Sequence, residues 1–167
     1  WEPAFCEALA SHGRHVVRFD NRDCGLSTKL DGVVVDPMAV MQAQYQGAEL
    51  PPVPYTLSDM AADAIGLFDH LGVERGHVVG ASMGGMIVQT MAIEHPDRLA
   101  SVTSVMSMTG DFEYGKPTPE AITVLLTPPP TERDEYIARS ADFAVWSSKR
   151  HFDPAKAARS AAEAFDR

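Results

Sequence analysis

One stretch of this chain has the residue types and the spacing of a catalytic nucleophile. Gly80-Ala81-Ser82-Met83-Gly84 fits the pattern G-x-S-x-G, which sets a serine on a sharp turn between a strand and a helix. Glycines are expected at 80 and 84 because side chains there would collide with the neighbouring strand and helix. The backbone N–H of Met83 would then face the oxyanion that forms when Ser82 attacks a carbonyl carbon. The alternative is a tightly packed turn, or one that holds a phosphate, with no covalent role for the serine.

A serine nucleophile needs a histidine that accepts its proton and a carboxylate that orients the histidine. His77 lies about 17 Å before Ser82 in an extended chain that rises about 3.3 Å per residue. His95 lies about 20 Å beyond Ser82 in a helix that rises about 1.5 Å per residue, so neither histidine is placed to be the base. Within the chain, His151 as the base and Asp111 as the acid remain as hypotheses. We interpret His12, His15 and His70 as surface or packing histidines.

The elements around the turn alternate between helix and strand. Apolar periodicity and caps predict helices over 3–9 and 57–71, and a third helix from 86 that stops before Pro96. β-branched runs predict strands over 15–20, 77–81 and 99–108. The helix at 57 follows a capping-box pair, Thr56 and Asp59. Residues 28–55 show no sustained period and are predicted to form a long surface excursion. The alternation predicts an α/β domain with a parallel sheet.

The composition changes at Gly110, where prolines begin to separate helical stretches. Thr131 with Asp134 predicts a helix that runs to about residue 146. Asp153 followed by Pro154 predicts the start of a later helix, because proline is favoured at the first helical position. The chain is therefore divided into an α/β part, residues 1–109, and a helical part, residues 110–167.

Composition and charge exclude several classes of protein. The chain carries 14 Lys+Arg against 23 Asp+Glu, a net charge of −9, which does not attract nucleic acid or an anionic membrane. The longest uncharged stretch, residues 76–93, contains glycines and polar residues and is not a bilayer span. Cys6 and Cys24 lack the spacing of a zinc site or a disulfide framework, and no phosphate or dinucleotide loop is present. We expect no nucleic-acid partner, no membrane span, no metal, no cofactor, and a reducing, cytoplasmic compartment.

Three motifs of the chain occur together. They are His77-Val78-Val79-Gly80-Ala81-Ser82-Met83-Gly84-Gly85, Glu94-His95-Pro96-Asp97-Arg98, and Phe19-Asp20-Asn21-Arg22-Asp23 with Gly25-Leu26-Ser27. Together they resemble the α/β-hydrolase family, most closely its small esterases of the aclacinomycin-methylesterase type. The resemblance implies an α/β-hydrolase fold in which Ser82 is the nucleophile and Met83 supplies a backbone oxyanion donor. It also implies that residues 15–20, 77–81 and 99–108 are the fourth, fifth and sixth strands.

The same resemblance implies that parts of the fold lie outside these residues. In most members the acid follows the next strand and the histidine follows the last one, so both are expected beyond Arg167. A second oxyanion donor and an interior strand are expected before Trp1. The implied architecture is a partial parallel sheet with flanking helices and a partial helical cap. Asp20 and Asp23 would belong to a structural loop, in which Cys24 stands where the resemblance suggests Thr.

The function implied by the resemblance is hydrolysis of a small-molecule carboxylic ester through an acyl-enzyme on Ser82 in a full-length parent, with these 167 residues inactive alone. Within the same fold, the alternatives are a cofactor-free haloperoxidase, a thioesterase or an acyltransferase. An alternative of another class is a non-catalytic product of truncation, or a binding module that kept the fold and lost the triad.

Overall fold

A computed structural model describes residues 1–111 and 114–166 of the chain. The chain divides into two compact units, Trp1–Thr109 and Gly110–Arg167. The first unit contains α1 (Pro3–Ala10), α2 (Pro37–Gln46), α3 (Leu57–His70), β1 (Gly76–Ala81), α4 (Met83–Glu94), a 3₁₀ turn (Pro96–Arg98) and β2 (Leu99–Val105). The second contains α5 (Pro119–Leu126), α6 (Arg133–Arg139), a 3₁₀ helix (Ser140–Val145) and α7 (Pro154–Phe165). The interpretation of these units as a core and a cap stays a prediction.

The strands of the described residues, β1 and β2, form a parallel pair, as the alternation of elements predicted. The pair runs from Gly76 opposite Leu99 to Ala81 opposite Val105, and α4 makes the crossover between the strands. The second strand is shorter than the predicted 99–108. It stops at Val105 because Met106, with φ +41°, turns the chain out of the extended conformation.

The core of the first unit lies between the strand pair and the two helices α3 and α4. Its buried apolar residues are Met60, Ala61, Ala64, Ile65, Val78, Ile87, Val88, Met91 and Leu99. Met91 on α4 is the largest side chain among those that are fully covered, with 1% of its surface exposed. Burial of one such side chain contributes about 1.5–3 kcal/mol, so packing of this face holds α4 and the turn that precedes it against the strands.

The predicted capping box at the start of α3 is confirmed. The backbone N–H of Thr56 donates to the Asp59 carboxylate at 2.7 Å, and the Asp59 N–H donates to the Thr56 hydroxyl at 3.4 Å. The Thr56 hydroxyl also donates to that carboxylate at 2.8 Å. The pKa of Asp59 is lowered below its ordinary value. The main cause is the hydrogen bond from the Thr56 hydroxyl, followed by the bond from the Thr56 N–H, and the positive charge of Arg22 lowers the pKa further. At the other end, Gly72 with φ +68° stops the helix.

The prediction of a strand over residues 15–20 is wrong. The β-branched pattern is present, but a strand exists only where its N–H and C=O groups pair with a neighbouring strand. In the described part of the chain, neither β1 nor β2 pairs with this segment. The segment is instead tied to the residues before α1, since the Arg18 guanidinium donates to the carbonyl of Trp1 at 2.8 Å.

The prediction of an excursion without regular structure over residues 28–55 is wrong for Pro37–Gln46, which forms α2. The helix is defined by its ends rather than by an apolar period. The Asp36 carboxylate accepts from the N–H groups of Met38 and Ala39 at 2.9 and 3.2 Å, and Gly47 with φ +63° stops the last turn.

In the second unit, the predicted helix after Asp153 is confirmed as α7, with the Asp153 carboxylate accepting from two N–H groups of the first turn. The helix predicted from Thr131 is partly wrong. α6 follows Glu132 and ends at Arg139 before the 3₁₀ segment. The Ser140 hydroxyl donates to the carbonyl of Ile137 at 2.7 Å, and such local side-chain bonds compete with continuation of an α-helix.

The arginine at the end of α6 also closes the end of α5. The Arg139 guanidinium donates to the carbonyls of Val124 at 3.0 Å and Thr127 at 2.6 Å, and to that of Pro128. A cation suits these carbonyls because they lie at the negative end of the helix dipole.

Of the helices in residues 1–111 and 114–166, none combines the length and the apolar character required to cross a bilayer.

Candidate active site

Ser82 occupies the turn between β1 and α4 with a backbone conformation that L-residues rarely adopt. Its φ is +53° and its ψ is −121°, and the residue is exposed. The Ser82 N–H donates to the carbonyl of Val105 on β2 at 3.0 Å. Its carbonyl accepts from the N–H groups of Gly85 and Met86 at 2.8 and 3.2 Å. The turn is therefore fixed on one side to the neighbouring strand and on the other to the first turn of α4.

The glycines around Ser82 differ in whether the structure requires glycine at their positions. A Cβ at Gly80 would lie 1.9 Å from the carbonyl oxygen of Gly84, so residue 80 must be glycine for the turn to close. A Cβ at Gly84 itself would meet no described atom within 4 Å, so the predicted collision at that position is wrong. The second tight position is Gly85, where a Cβ would lie 2.5 Å from the Cβ of Ser107. Glycine is therefore required at 80 by the nearby backbone of Gly84, and at 85 by the nearby side chains of Ser107 and Ser104.

Met83 begins α4, directly after Ser82. The first N–H groups of a helix have no acceptor within the helix, and they carry the positive end of its dipole. The backbone N–H of Met83 is therefore in the part of α4 that favours a developing negative charge. The Met83 residue is 46% exposed, so its surroundings are open to a ligand.

The side-chain amide of Gln89 joins α4 to the segment after β2. Its nitrogen lies 3.0 Å from the carbonyl of Gly85, 3.1 Å from Oγ of Ser104, 3.3 Å from Oγ of Ser107 and 3.4 Å from the carbonyl of Met108. Its two N–H groups are shared among these four oxygens. Sequence reasoning missed this residue. The available signal was a polar residue directly after the apolar run that ends at Val88.

The histidines of β1 and of the residue after α4, His77 and His95, lie far from Ser82, as the sequence predicted. His77 is near the start of β1, and its Nδ1 lies 2.7 Å from Oγ of Ser101, near the start of β2. Because Ser82 follows the other end of β1, this ring is at the opposite edge of the strand pair. His95 follows the last residue of α4, a full helix length from Ser82. Neither is placed to accept a proton from Ser82.

Asp20 and Asp23 are occupied by the backbone of their own loop, as the structural interpretation predicted. The Asp20 carboxylate accepts from the N–H of Leu26 at 3.0 Å, and a Cβ at Gly25 would lie 2.3 Å from Oδ2 of Asp20. The Asp23 carboxylate accepts from the N–H of Leu30 at 3.0 Å.

Arg22 fixes the same loop to α3. Its guanidinium makes a two-point contact with the Asp63 carboxylate at 2.6 and 2.7 Å, and it donates to the carbonyl of Asp59 at 3.2 Å. The guanidinium also lies over the ring of Tyr55, 5.5 Å from its centroid. The hydrogen bonds to Asp63 raise the pKa of Arg22 above its ordinary value.

The two remaining candidates, Asp111 and His151, belong to the second unit. Asp111 is exposed, and its carbonyl accepts from the N–H of Tyr114 at 3.3 Å. The N–H of His151 donates to the carbonyl of Ser148 at 3.1 Å. Throughout residues 1–111 and 114–166, no three His, Cys, Asp or Glu side chains are grouped so that they could hold a metal ion.

A parallel βαβ unit with a strained serine between strand and helix is the arrangement of the α/β-hydrolase fold, and the chain belongs to that family. Residues 1–151 match the family model described as "alpha/beta hydrolase fold". The family and the fold class predicted from the sequence are thereby confirmed.

Named relatives share parts of this chain. Rhodomycin D methylesterase DnrP of Streptomyces peucetius is 31% identical over 114 residues, which are 68% of this chain and 32% of that protein. Homoserine O-acetyltransferase of Deinococcus radiodurans is 52% identical over 46 residues, 28% of this chain and 14% of that protein. The chain thus spans a third or less of the length of these relatives.

Among solved structures, one described as "Est816 as an N-Acyl homoserine lactone degrading enzyme" is similar to part of this chain. It is 25% identical, with a TM-score of 0.38, and the match covers 70% of this chain and 49% of that one.

Proposed function

We propose that the full-length protein containing this chain is a serine hydrolase of small carboxylic esters and that Ser82 is its nucleophile. The observation that carries the proposal is the conformation of Ser82: an exposed serine with φ +53° between a parallel strand and the first turn of a helix. A backbone strained in this way persists only where its surroundings hold it, and such strain concentrates at functional sites. The methylesterase relative, which shares 114 residues with the chain, supports an ester as the substrate.

The chemistry proceeds in two steps. The Ser82 oxygen attacks the ester carbonyl carbon while its proton passes to a base, and the carbonyl oxygen becomes an oxyanion beside the backbone N–H of Met83. The alcohol leaves with that proton, and the acyl group remains on Ser82. Water then attacks the acyl carbon while the base takes a proton from the water, and the base passes this proton to the Ser82 oxygen as the acyl–oxygen bond breaks and the carboxylic acid is released.

The base and the acid of this mechanism lie, in our proposal, in the part of the protein that follows Arg167. His77 and His95 are excluded by their places at the far ends of β1 and α4. His151 and Asp111 remain as the pair within the chain that the experiments below can identify. A second oxyanion donor is proposed to come from residues before Trp1.

The direct test is turnover of short p-nitrophenyl esters by the full-length protein. Ser82→Ala should lower kcat by about 10⁴–10⁶, because a serine hydrolase without its nucleophile keeps only the catalysis of its oxyanion site. Ser11→Ala is the matched control, since Ser11 is an exposed serine at the end of α1. A fluorophosphonate should label Ser82 and should label no other serine of the protein. Equal turnover by Ser82→Ala and the parent would remove Ser82 from the mechanism.

Acyl transfer is a second candidate, favoured by the 52% identity to a homoserine O-acetyltransferase over 46 residues. The acyl group on Ser82 would then pass to an acceptor hydroxyl instead of to water. Addition of an amino-acid alcohol such as homoserine to the p-nitrophenyl acetate reaction separates the two activities by mass spectrometry. A hydrolase gives mainly acetate at millimolar acceptor, whereas a transferase gives mainly the acetylated acceptor.

A further inference from the structure

A second strained residue stands beside Ser82. β1 and β2 end in register with Ala81 opposite Val105, so Ser82 and Met106 are the next residues on the two strands. Both have positive φ, +53° and +41°. The Ser82 N–H donates to the carbonyl of Val105, the group covalently bonded to the nitrogen of Met106. Since paired strands lie about 4.8 Å apart, Ser82 and Met106 are direct neighbours at one end of the sheet.

The chain around Met106 is held from the side of α4. Gln89 reaches the hydroxyl of Ser107 and the carbonyl of Met108, the two residues that follow Met106. Gly85 allows the first turn of α4 to approach Ser107 so closely that a Cβ there would overlap it. These contacts fix the turn after β2 relative to the turn after β1, because both are made by α4, the helix that begins directly after Ser82.

Met106 itself is 76% exposed, although it is an apolar residue at the end of a strand pair. A methionine side chain is unbranched and flexible, and it adapts to apolar ligands of different shape. The part of an ester that must stay next to Ser82 through both chemical steps is the acyl group, because it is bonded to the serine between them. A residue one strand spacing away is therefore placed to contact the acyl group rather than only the departing alcohol.

We propose that Met106 is a specificity-determining residue that contacts the acyl chain, and that Gln89 is the positioning residue that holds it there. The inference rests on the proposed role of Ser82 as the nucleophile. It names the substrate class more closely: esters whose acyl chain is long enough to cover the Met106 side chain, such as hexanoates, are preferred over acetates.

The test compares kcat/KM for p-nitrophenyl hexanoate and p-nitrophenyl acetate in the full-length protein. Met106→Ala should lower the hexanoate-to-acetate ratio about tenfold, because the hexanoyl chain loses an apolar contact that the shorter acetyl group makes to a smaller extent. Met106→Gly should give the same shift, and it is expected to fold because glycine accepts φ +41° without strain. Met38→Ala, at an exposed methionine of α2, is the control and should leave the ratio unchanged.

Gln89→Met tests the positioning role, because it keeps the volume of the side chain and removes its N–H donors. It should shift the ratio in the same direction as Met106→Ala, with the loss mainly in kcat/KM for hexanoate. An equal loss on both esters, or a ratio within twofold of the parent in both Met106 variants, would overturn the inference and leave the role of Ser82 intact. Full activity of Ser82→Ala in the same series, or a parent that turns over neither ester, would remove the proposed function and the inference together.

Discussion

The backbone N–H of Ser82 donates to the carbonyl oxygen of Val105 at 3.0 Å, so the residue that follows β1 is bonded to the last residue of β2. A non-glycine residue at positive φ costs about 1–3 kcal/mol and persists only when neighbouring structure holds it. Here hydrogen bonds to the adjacent strand and to α4 both keep Ser82 in this conformation. The orientation of Ser82 therefore depends on the strand pair remaining intact.

The strain at Ser82 should be measurable as stability. Ser82→Gly is expected to be more stable than Ser82→Ala by about 1 kcal/mol, because alanine keeps the Cβ that disfavours φ +53° and glycine does not. Both variants lose the hydroxyl, so they differ chiefly in this backbone cost. Urea denaturation of the two full-length proteins gives the difference. Equal midpoints would mean that Ser82 is not strained in solution.

Alanine substitutions at Gly80 and Gly84 test whether the chain at residue 80 lies too close to the first turn of α4 to accept a side chain. Gly80→Ala should destabilise the protein by about 1–3 kcal/mol, because its Cβ would overlap the Gly84 carbonyl and the backbone must move. Gly84→Ala should be neutral or stabilising by up to about 1 kcal/mol, since its Cβ meets no described atom within 4 Å and alanine favours a helix. Thermal unfolding checks both. A Gly84→Ala variant that loses as much as Gly80→Ala would contradict the geometry.

Local signals in the sequence predicted the elements that carry the candidate site. The capping box of Thr56 and Asp59 fixed the start of α3, and the G-x-S-x-G pattern between β1 and α4 identified the turn. The strand over residues 15–20 could not be predicted reliably in the same way, because a strand needs a partner and a single segment does not reveal one. α2 was missed for the opposite reason: its caps are local, but its residues form no apolar face that a periodicity search would detect.

Contacts between elements account for what the sequence left open at the site. Gln89 stands out in the sequence only as a polar residue after an apolar run, and its contacts arise because Ser104 and Ser107 lie within reach once β2 and α4 pack together. The same applies to Met106, because a methionine gives no signal in the sequence that its φ is positive. Gly85, by contrast, belongs to a motif that resembles the family, and its close approach to Ser107 explains why that position is glycine.

The lowered pKa of Asp59 predicts a contribution to stability that depends on pH. A carboxylate whose pKa is lower in the folded state stabilises the fold above its unfolded-state value, near 3.8, and this contribution is lost as the pH falls through the folded-state pKa. Asp59→Asn should therefore weaken the decrease of the free energy of unfolding with falling pH in the acid range. Thr56→Val should reduce the same dependence, since the Thr56 hydroxyl is the main cause of the shift, and Thr56→Ser should preserve it.

The control for this prediction is Asp31→Asn, at an exposed carboxylate outside α3. Chemical denaturation between pH 2 and pH 6, about the range in which carboxylates take up protons, provides the measurement. If Asp59→Asn and Asp31→Asn change this pH dependence equally, the capping box does not account for the effect.

A polypeptide of these 167 residues alone should hydrolyse esters at a rate about 10⁴–10⁶ lower than the full-length protein. In the proposed mechanism the chain supplies the serine and one backbone donor, but His77 and His95 lie at the ends of β1 and α4 that are far from Ser82. A serine without a base has no acceptor for its proton, so labelling by a fluorophosphonate should also be slow. The measurements are p-nitrophenyl acetate turnover, the rate of Ser82 labelling and a thermal unfolding curve. Rapid, stoichiometric labelling with a cooperative transition would contradict the expectation and would place the base inside the chain. His151→Ala and Asp111→Asn would then be the first variants to make, since loss of labelling in both would identify the pair.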